Sequence, residues 1–540
     1  MPRAIVTYAR GWQALSVVRS LGKQGIEVIC AEEAPFAPCF FSRYCTDHFQ
    51  YPSFADDPDA FLDCIVQKVE EYRPDDDEYV LMPIHRETWL FAEHRERLEP
   101  HVRMAVTSHE NMKRTHDKGS LATLAQELGL PIPPTIQPRS MDELYRSAPD
   151  IGLPAFVKVR EGASGVGIKR VKTREELVSV FKKFVDGYEL EPEQYPLVQE
   201  GVPGTDHCTT VLFDRGRCVA KMTYRNVRQF PRETGASALR ETVDAPRAEE
   251  AAVKLLSHLD WHGIAEVDFR IEEDGTSHLI EVNPRFFGGL PQCIASNVDY
   301  PHMLFRIACG EEITQTPEVR TGVRTETPII SLLATIDDIA HDEERLEKLR
   351  TLKRELKAPL KEDLEDVDPG RIMDAFKDAA DPRDIKAYLQ GQFEKNIGAI
   401  DDIIQKDDPL PALGFLYPFA LMLKHGKVSM GILTSEAELT EEKPRRSFRN
   451  MIRAPSWRAV ALAVVLFALA TFMSSWDVTA GNVGLVLDWP KQLMDHLLGA
   501  ATDTSTLLGA FKHTATNALT FLFLYLVSAL LLRERKKEPD

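Results

Sequence analysis

Cysteine is scarce and unpatterned in this chain. The eight residues (Cys30, Cys39, Cys45, Cys64, Cys208, Cys218, Cys293 and Cys309) include no C-x-x-C pair and no companion histidine spacing. Structural zinc and a disulfide framework are therefore not expected, and buried thiols in a reducing compartment fit better. Positive charge is also short, with 65 Lys and Arg against 83 Asp and Glu and a formal net charge of −18. A general nucleic-acid binder needs a basic footprint, which is missing. The opening Met1-Pro2-Arg3-Ala4-Ile5-Val6-Thr7-Tyr8 holds no apolar run of signal-peptide length, so the first domain is expected to stay in the cytoplasm. No G-x-G-x-x-G follows the first apolar segment, only Gly11, which gives a dinucleotide site little support. There is no internal repeat, and no Ser-His-Asp or Cys-His nucleophile stands in a convincing context.

The chain has 540 residues, too many for a single hydrophobic core. Ala4–Tyr8 and Ile26–Cys30 read as apolar strands around a helical stretch at Gln13–Leu21, and this β-α-β opening predicts a parallel sheet. A third strand is expected at Val80–Pro83 and a helix across Glu87–Leu98. The Pro-rich segment Leu130-Pro131-Ile132-Pro133-Pro134 separates this unit from a strand-rich region reaching about Cys309. Residues 330–442 are charged, helical in pattern and broken by Pro359, Pro369, Pro382 and Pro409, and no chemistry is assigned to them.

The negative average hides an asymmetry. From Lys443 to Asp540 the chain carries 12 basic and 7 acidic residues, a basic tail on an acidic body. Ala459–Met473 is uncharged and flanked by Trp457 and Trp476, long enough with its flanks to cross a bilayer core. Thr514–Leu532 is a second such run. Arg445, Arg446, Arg449, Arg453 and Arg458 precede the first run, and Arg533, Arg535, Lys536 and Lys537 follow the second. The loop between them holds Lys491 and Lys512 against four aspartates, so the positive-inside rule puts both flanks in the cytoplasm. A buried helical hairpin in a soluble core is the alternative. No charged residue lies inside either span, which leaves an anchor and not a transport path.

Ala155-Phe156-Val157-Lys158-Val159 reads as a buried strand containing one cation. It leads into Glu161-Gly162-Ala163-Ser164-Gly165-Val166-Gly167, whose glycines let backbone N–H groups approach an anion. The spacing is not that of a Walker loop, and a Gly-rich hairpin turn is the alternative. Lys158 favours the phosphate reading, because a lysine in an apolar strand is costly unless an anion meets it. Lys118 could be a second phosphate cation, although alone it is a surface lysine.

The most informative stretch is Ile264–Arg270 and His278–Asn283 around Asp274-Gly275, a strong hairpin signal. A two-residue turn sets Asp268 opposite Glu281 and Glu266 opposite Asn283, with all four side chains on one face. Val267, Phe269, Ile280 and Val282 are then expected on the core face. Opposed carboxylates lie about 4.5–5.5 Å apart at Cβ and repel unless something positive bridges them. Two carboxylates and an amide oxygen suit Mg²⁺ shared with phosphates. The alternative is a solvated polar face of an edge hairpin, and the register assumes that no bulge intervenes.

With these residues in hand, the chain resembles the ATP-grasp superfamily over roughly residues 1–310. The resemblance rests on Asp117-Lys118, the strand with Lys158, the Gly162–Gly167 loop, Val198-Gln199-Glu200-Gly201-Val202-Pro203-Gly204 and, above all, Glu281-Val282-Asn283-Pro284-Arg285. It implies an α/β architecture: a Rossmann-like pre-ATP-grasp domain at 1–112, an α+β ATP-grasp domain at 113–312, a mainly helical region at 313–442, and a basic segment with a two-helix anchor at 443–540. It implies that Lys118 and Lys158 contact the ATP phosphates and that the loop with Gly162, Ser164, Gly165 and Gly167 folds over them. Glu200 and the backbone near Val202 would read adenine, and Asp206 would hold the ribose. Asp268, Glu281 and Asn283 match the family's metal ligands, which implies Mg²⁺, with Mn²⁺ as the alternative, and two ions. Arg285 would stabilise an acyl phosphate or orient the carboxylate. Arg228 and Arg232 are candidate substrate cations, with a solvated basic strand as the alternative.

The activity implied is a ligase working with MgATP on small-molecule carboxylate and amine (or thiol) substrates at the cytoplasmic membrane, a lipid-linked or wall precursor among the options. A membrane-tethered ATP-binding sensor without turnover and a carboxylase-like enzyme are the alternatives. No residue identifies the oligomeric state.

Overall fold

The computed structural model describes residues 1–33, 35, 37–75, 77–161, 167–230, 235–327, 330, 331, 334, 347, 351, 398–403, 405–411 and 414. The chain divides into two units. The first comprises Met1–Val227, Arg240–Thr325 and Ile400–Arg453; the second comprises Arg228–Leu239, Glu326–Ala399 and Ala454–Asp540. Every candidate site residue except Arg228 and Arg232 belongs to the first.

The N-terminal sheet contains β1 (Arg3–Val6), β2 (Glu27–Glu32), β3 (Cys45–Gln50) and β4 (Tyr79–Met82) in the order β3-β2-β1-β4. All its pairings are parallel, as the β-α-β opening predicts. Parallel strands covered on both faces read as apolar runs, and Ala4, Ile5, Val6, Val28 and Val80 are all fully buried. The expected helix at Gln13–Leu21 spans Trp12–Lys23. The one expected at Glu87–Leu98 is two short helices, Glu87–Glu93 and Arg95–Leu98, interrupted at His94 (φ −112°, ψ 34°). Strand β3 has no counterpart in the sequence reading. It is a sheet edge with Thr46, Asp47 and His48 exposed, so no apolar period marks it.

A second, antiparallel sheet contains β5 (Thr135–Ile136), β6 (Ala155–Lys158), β7 (Ile168–Val171) and β8 (Leu197–Glu200), in the order β5-β8-β6-β7. Helix Arg174–Gly187, capped by the Thr173 hydroxyl, lays Leu177 and Phe181 on Val157 and Val198 of this sheet.

The third sheet has seven strands: β9 (Thr205–Asp214), β10 (Arg217–Phe230), β11 (Ala236–Val243), β12 (Gly263–Ile271), β13 (Ser277–Asn283), β14 (Arg324–Glu326) and β15 (Ile400–Asp401). Their order is β13-β12-β9-β10-β11-β14-β15. Strand β15, two residues long, falls in the stretch expected to be mainly helical, most of which lies outside the described residues. One face of β9, β12 and β13 packs Val211, Phe213, Val267, Phe269 and Val282 against Leu255 and Leu256 of helix Pro246–His258 and Leu121 and Leu124 of helix Lys118–Glu127. Trp261, fully buried, belongs to the same cluster.

Among the described residues no helix is long and apolar enough to cross a membrane. The two expected spans, about 458–476 and 514–532, lie outside the described residues.

Candidate nucleotide and metal site

The hairpin β12–β13 pairs Glu266 with Asn283, Val267 with Val282, and Asp268 with Glu281. This is the expected register, reached by two irregularities that offset each other. The turn is one residue longer than Asp274-Gly275 alone: Glu272 N–H donates to the Thr276 carbonyl at 3.0 Å, and Gly275 takes φ +83°. A three-residue loop with a left-handed glycine has this form. Phe269, Arg270 and Ile271 consequently face Leu279, His278 and Ser277, one step off the register of a two-residue turn. A bulge between Asp268 and Phe269 then takes up the difference. The bulge corrects one expectation. Leu279, 2% exposed, takes the core position expected for Ile280, while half-buried Ile280 lines a cavity with Leu279, Lys118, Lys158 and Gln199.

Lys118 is not a surface lysine. It is 7% exposed, opens helix Lys118–Glu127, and brings Nζ to 3.8 Å from the Glu281 carboxylate. Asp117 caps this helix by accepting from the Ser120 N–H at 2.6 Å. Both Asp117 oxygens also accept from Arg160, each at 2.8 Å, a fork that holds planar partners in fixed geometry. The Lys118 N–H donates to the Arg160 carbonyl at 3.0 Å. Arg160 thus ties the helix bearing Lys118 to the end of the strand bearing Lys158. Gly119 leaves the necessary room, because a Cβ there would lie 2.2 Å from Arg160 Nη2.

Lys158 is 7% exposed and donates from Nζ to Gln199 Oε1 at 2.6 Å. Burial pulls its pKa down to about 8; Glu281 and Asp206 oppose that shift and Lys118 adds to it. The ammonium is the form that would bind a phosphate. Nucleotide affinity is therefore expected to be flat below about pH 8 and to fall up to about tenfold per pH unit above it. Calorimetric titration with ADP across that range checks this, and a flat profile to about pH 9.5 contradicts it.

The carboxylates are differentiated by their surroundings. Burial raises the Asp268 pKa well above the usual range, and the charges of Glu266 and Glu281 push it further. Burial also drives Glu266 up to about 7, against the hydrogen bond it accepts from the Tyr224 hydroxyl at 2.5 Å. For Glu281 the desolvation that would raise its pKa is outweighed by Lys118 and Lys158, which leave it low. Asp268 Oδ1 is buried without a hydrogen-bond partner, whereas Oδ2 accepts from Asn283 Nδ2 at 3.3 Å. Asn283 Oδ1 accepts from Arg285 Nη2 at 3.3 Å. An unpartnered buried carboxylate oxygen beside a second carboxylate and an amide oxygen fits a hard divalent cation. Asp268, Glu281 and Asn283 would hold it, and when bound it would neutralise phosphate charge.

The other expected site residues are placed as follows. Glu200 ends β8, and its carboxylate accepts from the Gly152 N–H at 2.9 Å. Val202 is half-buried in the following connection. Gly204 (φ +108°) lets that connection pass the Ile271 carbonyl, 2.2 Å from where a Cβ would sit. Asp206, near the start of β9, accepts from Arg270 Nη1 at 2.6 Å. Gly167 (φ +75°) sends its carbonyl to the Val159 N–H at 2.8 Å. Gly162, Ser164, Gly165 and Arg232 lie outside the described residues. Arg228 is half-buried in β10, within the second unit.

Sequence reasoning assigned no role to Arg160, Tyr224 or Cys208. The Cys208 sulfur and one carboxylate oxygen each of Glu266 and Asp268 lie within 4.8 Å of one another. Arg160 carries one usable signal in the sequence, since it follows Lys158 by two residues and its partner Asp117 directly precedes Lys118. Tyr224 and Cys208 come from strands whose pairing no local pattern reveals.

The profile of one family, ATP-grasp in the biosynthetic pathway with Ter operon, matches residues 203–328. This segment is ATP-grasp. It contains Asp268, Glu281, Asn283 and Arg285, while Lys118 and Lys158 precede it. Over 281 residues the chain is 27% identical to the carbamoyl phosphate synthase large chain of Methanoregula boonei, a match covering 49% of this chain and 25% of the relative. It is 26% identical over 261 residues to pyruvate carboxylase 1 of Caenorhabditis elegans, covering 44% and 22%. The chain thus spans about a quarter of the length of these relatives. A similar solved structure is N5-carboxyaminoimidazole synthetase from Staphylococcus aureus complexed with ADP. It has a TM-score of 0.49 and 14% identity, over 65% of this chain and 87% of that one.

Proposed function

We propose that this chain is an ATP-dependent ligase: with MgATP it activates a small-molecule carboxylate as an acyl phosphate and joins the acyl group to an amine or thiol. The observation that carries this reading is the β12–β13 register, which sets Asp268 against Glu281 with Lys118 Nζ 3.8 Å from Glu281. Lys118 and Lys158 offset the charge of the transferring phosphate while the carboxylate oxygen attacks it and ADP leaves. Arg285, positioned by its hydrogen bonds to Asn283 and to the Phe286 carbonyl, meets the carboxylate or its acyl phosphate. The amine then attacks the acyl carbon and inorganic phosphate departs. Phosphate release by the full chain against pools of carboxylates and amines tests the proposal. Release that requires one of each supports it, while tight MgATP binding with no release from any pool favours a sensor. Carbamoyl phosphate synthase and pyruvate carboxylase among the relatives favour a second reading, a carboxylase-like enzyme, which predicts bicarbonate-dependent ADP formation.

The proposal includes a cytoplasmic membrane anchor at about 458–476 and 514–532, supported by the apolar runs and their flanking cations. Fractionation of cells expressing the full chain tests it. Recovery in the low-salt soluble fraction contradicts an anchor, and retention in the membrane after a high-salt wash supports one.

A further inference from the structure

Three of the eight cysteines meet at the edge of the N-terminal sheet. Strands β2 and β3 pair in parallel with Cys45 opposite Val28; Asp47 then stands opposite Ile29, so Thr46 is an extra residue at that point. Side chains two residues apart on a strand share a face, which puts Cys30 on the face of Val28 and diagonally across from Cys45. The Cys30 side chain and backbone both hydrogen-bond to Cys45. The Cys45 thiol also donates to the Asp47 carbonyl at 3.2 Å. Cys30 Sγ lies 4.0 Å from the carbonyl of Cys39, which belongs to the short turn Pro38–Phe41. Phe40 of that turn packs on His48, the partner of Cys30 in β3, with ring centroids 4.3 Å apart. Cys30 and Cys39 are fully buried, whereas Cys45 is half-buried on the edge strand.

The surroundings make these sulfurs unlike. Burial pushes the Cys30 thiol well up, while the hydrogen bonds from Cys30 hold the Cys45 thiol below its ordinary range against the cost of its own burial. The other half-buried cysteines, Cys64, Cys218 and Cys309, are all pushed up by burial, the last two to about 11. A reactive cysteine needs thiolate character and access from solvent, and a second thiol beside it to resolve the oxidised form. We propose that Cys45 and Cys30 form a peroxide-sensitive pair: Cys45 supplies the attacking sulfur and Cys30 resolves it into a reversible disulfide between β2 and β3. The Cys45 thiolate attacks one peroxide oxygen and the O–O bond breaks. The departing hydroxide takes up a proton to become water, and Cys45 becomes a sulfenic acid. The Cys30 sulfur then attacks the Cys45 sulfur; the S–O bond breaks, the thiol proton leaves with the oxygen as a second water, and an S–S bond forms. Hydrogen peroxide is thus reduced to water as two thiols are oxidised, and a small dithiol reverses the step. A reducing compartment tolerates bridges of this transient kind. This pair does not depend on the MgATP reading above.

The test exposes the reduced full chain in detergent to an equimolar amount of hydrogen peroxide, alkylates it in denaturant and maps the peptides. In wild type the eight free thiols are expected to fall by two, with Cys30 and Cys45 joined in a cross-link that a dithiol removes. Cys45 is expected to be consumed about tenfold faster than Cys218 or Cys309. A gap of about two pKa units gives about a hundredfold more thiolate, and the weaker nucleophilicity of that thiolate returns about half of it on a logarithmic scale. In Cys30→Ser, Cys45 is expected to stop at a sulfenic acid that dimedone traps. In Cys45→Ser no cross-link is expected and the other thiols persist. Survival of all eight thiols in wild type overturns the proposal, as does consumption of Cys218 or Cys309 as fast as Cys45. A cross-link between Cys30 and Cys39 that forms equally well in Cys45→Ser overturns it too, because Cys45 is then not the attacking sulfur. The wild-type map decides on its own if a serine variant fails to fold.

Discussion

Glu281→Gln is expected to lower MgATP-dependent turnover about a thousandfold or more while leaving the chain folded. The size follows from the several kcal/mol of charge stabilisation that a correctly held metal supplies, at about 1.4 kcal/mol per factor of ten. Glutamine keeps the shape of the side chain and removes the charge that faces Lys118 and Lys158. Two effects oppose each other in the stability of this variant: neutralising one of two opposed carboxylates relieves repulsion, whereas buried Lys118 and Lys158 lose the anion that they hold ionised. The Tm is therefore expected to be unchanged or modestly lowered, with the chain still folded. Wild-type turnover in this variant contradicts the metal assignment. A folded, inactive variant that still binds metal-free ADP supports it.

Trp261→Ala is expected to have the opposite profile, destabilising the protein by about 3–5 kcal/mol without touching the chemistry directly. Trp261 is fully buried among Phe213, Leu255, Leu256 and Val267 on the core face of the sheet whose other face carries Asp268. Truncation leaves a cavity that the surrounding strands fill only in part. Denaturant unfolding measures the loss. A cost under about 1 kcal/mol would show that this cluster does not support the hairpin in the way described.

The two profiles mark what was legible in the sequence. The period-2 pattern of β12 and β13 put Asp268, Glu281 and Asn283 on one face, and Lys158 announced itself as a cation in an apolar strand. The register was right at the site although the turn was one residue longer than expected and a bulge made up the difference. Alternation alone therefore put Ile280 in the core, where Leu279 lies. Strand β3 was missed because an exposed edge needs no apolar period. Long-range partners were beyond reach for a different reason. Asp402 pairs with Arg240, 162 residues away, and Asp408 pairs with Arg19, 389 residues away. Nothing in a charged, Pro-interrupted stretch says which of its aspartates will be buried. Arg160 sat in plain view, yet its value depends on Asp117, 43 residues earlier.

In the proposed function the Asp268–Glu281 face binds nucleotide through a divalent cation. Calorimetric titration of the full chain with ADP, with and without Mg²⁺, is the decisive measurement when paired with Asp268→Asn. Mg²⁺ is expected to tighten ADP binding to wild type, and Asp268→Asn is expected to abolish this gain while metal-free binding persists. ADP binding that ignores Mg²⁺ in wild type, or an undiminished Mg²⁺ effect in Asp268→Asn, would contradict this reading.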